Sequence, residues 1–420
     1  MASPQNSTGG SHAAFRHPNF WLFQTARSSM VLAMEMQSVA VAWQVYEITK
    51  RPLDLGFVGL VQFLPGILLF LVSGHVADRY DRRKLIIVCY IGYGLSFALL
   101  LATALQHSQA VGFIFGILAL LGTVRAFNAP VSRALLPQLV PDEDLPNAIT
   151  WASTFFQASS ILGPAAGGVI YAAFRGPSAV YATSTALTIL SLFCAAKLKT
   201  ETKPRPREPV TMKTALAGLH YIWREKVVLG SISLDLFAVL LGGAVALMPV
   251  YAREILHTGP WGLGLLRTAP GVGAAAMAVF LAHRPLREKA GRTMLWCVAG
   301  FGLFTILFGI SRNIVISLVA LFLVGATDMV SVIVRALLIQ VATPDEMRGR
   351  VNAVDMVFIG ASNQFGEFES GVTAQWFGTV PAVILGGIGT LLVVAIWAWR
   401  FPELREVEQV TSLAGAKQPS

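Results

Sequence analysis

The chain has 420 residues, 55% of them hydrophobic and only 13% charged, with a mean hydropathy of +0.62. A soluble domain carries about 25% charged residues, so a water-soluble enzyme of this size is excluded. The net charge of +9 would point to nucleic acid in a soluble protein, whereas in a membrane protein it reports topology.

In chain order, apolar segments fall near 20–46, 54–76, 85–106, 109–131, 148–173, 179–198, 227–251, 262–282, 293–311, 315–338, 351–377 and 382–400. Each is near the length of about 20 residues that a membrane helix needs, which predicts twelve spans. They must be helices, because lipid offers no water to an open strand's backbone. The first run, Trp21 to Tyr46, is too long for the apolar region of a signal peptide and reads as the first span. Of the 32 Lys and Arg residues, 23 fall in the loops and tails on one side, five on the other and four within spans. That bias predicts both termini in the cytoplasm. Cys89, Cys194 and Cys297 lie far apart in apolar runs and read as small core residues.

The expected organisation is therefore an all-α membrane protein. A tail over 1–18 precedes six helices over 19–198, a cytoplasmic linker over 199–226, six more helices over 227–400, and a tail over 401–420. The linker opens with KTETKPRPREP, which has the Pro and charge content of an extended segment. Beyond it, Met212, Ala215, Leu216, Leu219, Ile222 and Trp223 recur at helical spacing, predicting an amphipathic helix lying on the cytoplasmic leaflet.

The halves resemble each other. RALLPQLVPDEDLPNAI, from Arg133 to Ile149, aligns with RALLIQVATPDEMRGRVNAV, from Arg335 to Val354. Both copies follow the fourth span of their half. A parallel repeat of this kind, about an axis along the membrane normal, places a substrate path at the repeat interface near the midplane.

Several polar groups interrupt the apolar runs. After the second span stand Gly74, Asp78, Arg79, Arg82, Arg83 and Lys84: a glycine suited to close helix approach, an acid at a helix end and a basic cluster. Taken alone, this is equally a plain positive loop. Arg125 lies in the fourth span, where a charge costs about 2.5–3.5 kcal/mol; it must face a partner or a wet cavity, or else snorkel to the interface. The fifth span holds Gly163, Pro164, Gly167 and Gly168, where a GxxxG spacing allows tight helix contact. The eleventh holds Glu367 and Glu369, which point about 200° apart on a helix, so only one can face a central cavity squarely. Arg27, Glu35, Asp235, Arg267, Asp328 and Arg335 are further charges inside spans. Asp328 and Arg335 share a helix face about 10 Å apart. An ionisable residue in a membrane is a candidate functional group, although some of these must simply pair.

The spacing G-x-x-x-D-R-x-x-R-R-K at Gly74–Lys84 resembles motif A of the major facilitator superfamily. Arg125 is similar to the motif B arginine of that superfamily, and GPAAGG from Gly163 looks like its antiporter motif C. GLVQFLP, RALLPQ and the GRVNAV…ASNQFGEFESG…GGIGT stretch resemble its enterobactin-exporter and macrolide-efflux-like branch, over about Asn19 to Pro402. The loop His283–Arg292 keeps basic residues but no matching acid, so the second half lacks a full copy of motif A.

The resemblance implies two pseudo-symmetric six-helix bundles in the bacterial inner membrane, working as a monomer by alternating access. The implied activity is proton-coupled export, by antiport, of a small amphipathic compound such as a drug or siderophore. Uptake by symport and lipid translocation on the same fold are the alternatives. Gly74, Asp78, Arg79, Arg82 and Arg83 would hold the cytoplasmic gate, and Gly163, Pro164, Gly167 and Gly168 would act conformationally. Glu35, Arg125, Asp235, Asp328, Arg335, Glu367 and Glu369 are the proton-coupling and cavity candidates, with Glu35 first. A membrane enzyme or receptor is disfavoured: there is no Walker A sequence, paired His, GxSxG or metal spacing, and no cofactor is expected.

Overall fold

The computed structural model describes residues 13–199, 212–284 and 289–406, without the side chains of 70, 71, 78 and 212–215. The described chain is helical: α1 (Pro18–Thr49), α2 (Pro52–Leu68), α3 (Phe70–Arg79), α4 (Arg82–Leu105), α5 (Val111–Leu135), α6 (Leu145–Ala173) and α7 (Ser178–Lys197) form its first half. After α8 (Met212–Arg224) come α9 (Lys226–Leu241), α10 (Met248–Val250), α11 (Gly259–His283), α12 (Ala290–Ile310), α13 (Ile314–Ala342), α14 (Asp345–Phe377), α15 (Thr379–Arg400) and α16 (Pro402–Arg405). Eight helical stretches are long and apolar enough to cross a membrane.

Local chemistry sets many of the boundaries. Pro18 and Pro52 sit in the first turns of α1 and α2, where a missing N–H costs nothing. Asp81 caps α4 by accepting from the amides of Arg83 at 2.8 Å and Lys84 at 3.2 Å. Asn313 caps α13 in the same way through Val315 and Ile316. The expected second span is divided: Pro65 lies within α2, and the helix breaks at Leu69 before resuming as α3. The expected seventh span is also irregular, passing from α9 through a 3₁₀ turn at Ala244–Leu247 to a π turn at Tyr251–Ile255.

Small hydroxyls bind the first helix of each half to its last. Ser184 and Ser191 of α7 donate to the carbonyls of Ala33 and Ala26 of α1, and Thr390 of α15 donates to that of Ala238 of α9. Such interhelical bonds average about 0.6 kcal/mol in a membrane. Tyr90, Tyr93, Phe97 and Tyr181 fill the interior of the first half. Outward faces are apolar instead, with Phe113, Trp296, Trp376 and Trp399 all more than 70% exposed, as a lipid-facing surface requires.

The amphipathic helix forms, but lying on a leaflet describes only part of it. Ile222 of α8 is buried, Tyr221 donates to the Ala342 carbonyl at 2.7 Å, and Gly218 abuts the backbone of Arg350. One side of α8 thus packs on the corner between α13 and α14, while Leu216 and Trp223 remain exposed.

Candidate functional site

The two halves of the chain meet along α6 with α11 and α2 with α14. Glycines permit the approach: a Cβ on Gly168 would strike the Gly264 backbone, and one on Gly264 the Pro164 carbonyl; within the first half, a Cβ on Gly163 would strike the Glu35 side chain. Thr268 of α11 donates to the Ile161 carbonyl of α6 at 3.1 Å. Phe57 and Phe63 of α2 meet Phe368 and Phe365 of α14, with ring centroids 5.2 and 6.0 Å apart. These contacts occupy the half of each helix remote from the chain termini. On the terminus-bearing side Ser153, Thr154, Phe156 and Gln157 of α6 are exposed, with Ala276, Val279 and Phe280 of α11; exposed polar side chains on membrane helices imply an opening between the halves there.

Four charges gather where contact gives way to the opening. Glu35 of α1 lies within coulombic reach of Arg125 of α5 and Arg267 of α11, and Glu367 of α14 lies within reach of the same two arginines. Arg267 donates to Ser38 Oγ of α1 at 2.6 Å, while its Nε has no hydrogen-bond partner among the described residues. Glu367 packs against Gly59 of α2, where a Cβ would meet its carboxylate. Arg125 is exposed although it lies inside a long apolar helix, so its guanidinium faces the opening. Two carboxyls and two guanidiniums, one of each from either half, compensate one another when all are ionised. Glu369 is not part of this group: its carboxylate accepts from Thr373 of the same helix at 2.6 Å.

A second group lies within the later half. The Arg335 guanidinium of α13 pairs with Asp235 of α9 and faces Asp355 of α14 at 3.7 Å. Asp328 is within coulombic reach of both Asp235 and Arg335. The expected face shared by Asp328 and Arg335 exists, yet the direct partner of Arg335 is Asp235 on another helix. Asp355 escaped the sequence analysis. Its signal was an acid in an apolar run, at the place where the first copy of the repeat has Thr150.

On the side remote from the termini, a third group spans the halves. Tyr46 donates to Glu254 at 2.5 Å, Tyr171 donates to Glu47 at 3.2 Å, and Arg253 pairs with Glu47 at 3.5 Å. Arg253 also lies over the Trp43 ring, 5.6 Å from its centroid. Arg253 and Glu254 sit in the π turn, a feature frequent at functional sites. The sequence had assigned Arg253 only to a loop.

The motif A residues are dispersed. Arg82 donates to the Ala134 carbonyl at 3.3 Å and Arg83 to that of Ala196 at 2.6 Å, tying the start of α4 to the ends of α5 and α7. Arg79 is exposed. The Asp78 side chain and residues 285–288 of the matching second-half loop lie outside the described residues. Gly74 does not serve close helix approach in this conformation, since nothing lies within 4 Å of a Cβ placed there. Gly167 packs on the backbone of Met36 in α1, and Pro164 is buried, with its carbonyl against Gly264 of α11. On the terminus side, Lys226 donates to Glu403 at 2.6 Å, and its ammonium holds that carboxyl below the usual range. No group of three or more metal-ligating side chains occurs among the described residues.

Residues 9–419 match the family model described as transmembrane secretion effector. The chain is 27% identical over 401 residues to enterobactin exporter EntS of Citrobacter koseri and, equally, to that of Escherichia coli O1:K1 / APEC, covering 94% of each chain. Its fold is similar to that of a point mutant of the nucleoside transporter NupG, with a TM-score of 0.73 at 10% identity, over 91% of this chain and 100% of that one. It is also similar to a bacterial homologue of the lysosomal transporter Spinster, inward-facing and unoccupied, with a TM-score of 0.69 at 12% identity over 96% and 99%. Membrane helices with charges held between the halves, and a family match over nearly the whole length, describe a multi-pass transporter rather than an enzyme. The chain belongs to the transmembrane secretion effector family of the major facilitator superfamily.

Proposed function

We propose that the chain is a twelve-helix, proton-coupled exporter of a small amphipathic compound, with two six-helix bundles that rock about a midplane site. Eight helical stretches are apolar enough to span alone. The other four crossings are α1, α2 with α3, α6 and α14, each of which carries or contacts a central carboxylate. A helix that borders a wet cavity has less need of apolar residues, which supports counting these as spans. The basic bias supports cytoplasmic termini in the inner membrane, so the conformation described is open to the cytoplasm.

The observation that carries the reading is the meeting of Glu35, Arg125, Arg267 and Glu367 at the boundary between contact and opening. With both acids ionised, the group is compensated and holds the halves together on the outer side. A proton on Glu35 or Glu367 leaves an arginine uncompensated in a low-dielectric site. The cytoplasm-open conformation, in which Arg125 is exposed, gives that arginine water and so favours the return of the protonated form. Each proton returning inward gains about 2.3 kcal/mol per 100 mV. Asp235, Asp328 and Asp355 around Arg335 form a second acidic group, buried within the later half.

The enterobactin exporters among the relatives favour a siderophore or a similar amphipathic molecule as cargo. Cells with and without the gene, exposed to a panel of such compounds, test the reading. The compound exported should accumulate in cells lacking the gene, and the difference should vanish when the proton gradient is collapsed. Lower accumulation in those cells would make the chain an importer.

A further inference from the structure

The wall contributed by the first half has two tiers of charge. Glu35 and Arg125 form the inner tier. Arg27 precedes Glu35 by eight residues on α1, and Arg133 follows Arg125 by eight on the oppositely directed α5. Both therefore lie about 12 Å nearer the terminus-bearing side, beyond the level at which α6 leaves α11. This outer tier holds no acid among the described residues. Arg27 and Arg133 lie within coulombic reach of each other, and neither has an ion pair among the described residues.

The internal repeat makes this departure specific. Arg133 and Arg335 occupy matching places; Arg27 lies within coulombic reach of Arg133, where Asp235 pairs directly with Arg335. The later half neutralises its repeated arginine with acids on two neighbouring helices. The earlier half places a second arginine there instead. Like charges held together in a cleft raise its affinity for anions, and guanidinium groups suit carboxylate, sulfonate and phosphate oxygens. Phe156 of α6 lies under this tier, its ring 5.5 Å from the Arg27 guanidinium and 43% exposed. A free aromatic face beside a cation can stack a second ring.

We infer that Arg27, Arg133 and Phe156 form a binding site for the anionic group of an aromatic cargo entering from the terminus-bearing side. Its use in export rests on the function proposed above; the binding does not. Arg27 and Arg133 hold the negative group, and Phe156 takes the ring.

The test is equilibrium binding of radiolabelled 2-naphthoate, with 2-naphthylmethylamine as the cationic control. The full chain is held in nanodiscs of zwitterionic lipid, with and without phosphatidylglycerol. Wild-type protein should bind 2-naphthoate saturably at one site and bind the amine at least tenfold more weakly. Arg27→Gln and Arg133→Gln should each lose tenfold or more in affinity for the acid, while Arg27→Lys, which keeps the charge, should lose less. Size-exclusion profiles identify any variant that fails to fold, and Arg27→Lys then carries the comparison. No binding by the wild type, equal binding of acid and amine, or unchanged affinity in folded Arg27→Gln would each overturn the proposal. Full competition by phosphatidylglycerol would overturn it also, by making the pair a lipid headgroup site. Binding that follows the arginines without any transport of the acid in proteoliposomes would contradict the export reading alone.

Discussion

Arg267 of α11 donates a 2.6 Å hydrogen bond to Ser38 of α1, a direct polar link between the two halves beside the central charges. Ser38→Ala removes the acceptor and leaves the guanidinium in place. A hydrogen bond to a charged group is worth about 1.5–3 kcal/mol. The outer side should therefore open more often in this variant, by about tenfold or more. Spin labels at the outer ends of α2 and α14 would read this as a longer-distance population, and an unchanged distribution would show that the bond does not hold the halves.

The third polar group makes a parallel prediction further out. Glu47 accepts from Tyr171 and pairs with Arg253, so Glu47→Gln weakens both contacts. Cysteines introduced near Phe57 should become more reactive to an impermeant thiol reagent from outside. Unaltered labelling would assign Glu47 a purely local role.

The Arg335 group predicts a stability effect. Arg335→Met strands Asp235 and Asp355 without their cation, and uncoupling a buried ion pair costs about 3–5 kcal/mol. The purified variant should show a markedly lower Tm than wild type. Asp355→Asn should cost less, because Asp235 keeps its partner. Equal losses would mean that the 3.7 Å contact matters as much as the direct pair.

Two glycines should part company in the same assay. Gly163→Ala places a methyl on the Glu35 side chain, and overpacking costs about 1–3 kcal/mol. Gly74→Ala meets open space and gains helix propensity, so its Tm should not fall. A fall at Gly74 would place a neighbour there that this conformation lacks.

Much of this was legible in the sequence because the cost of a charge in hydrocarbon is local. Glu35, Arg125, Arg267 and Glu367 were conspicuous one by one, and the repeat located the corners at Arg133 and Arg335. Their partnerships were not legible. Spacing along α13 put Asp328 and Arg335 on one face, but the partners of Arg335 lie on other helices, at Asp235 and Asp355, which spacing along one helix does not reveal. Spacing did separate Glu367 from Glu369, since opposite faces of one helix follow from its pitch alone. Arg253, Glu254 and Glu47 lay near span ends, where charge is ordinary, so nothing marked them as a contact between halves.

Proton-driven efflux in everted vesicles, comparing wild type with Glu35→Gln and Glu367→Gln, tests the role of the central charges most directly. The account predicts that at least Glu35→Gln abolishes acceleration by an imposed pH gradient, while cargo still binds. Wild-type acceleration in both single variants and in the double variant would contradict it.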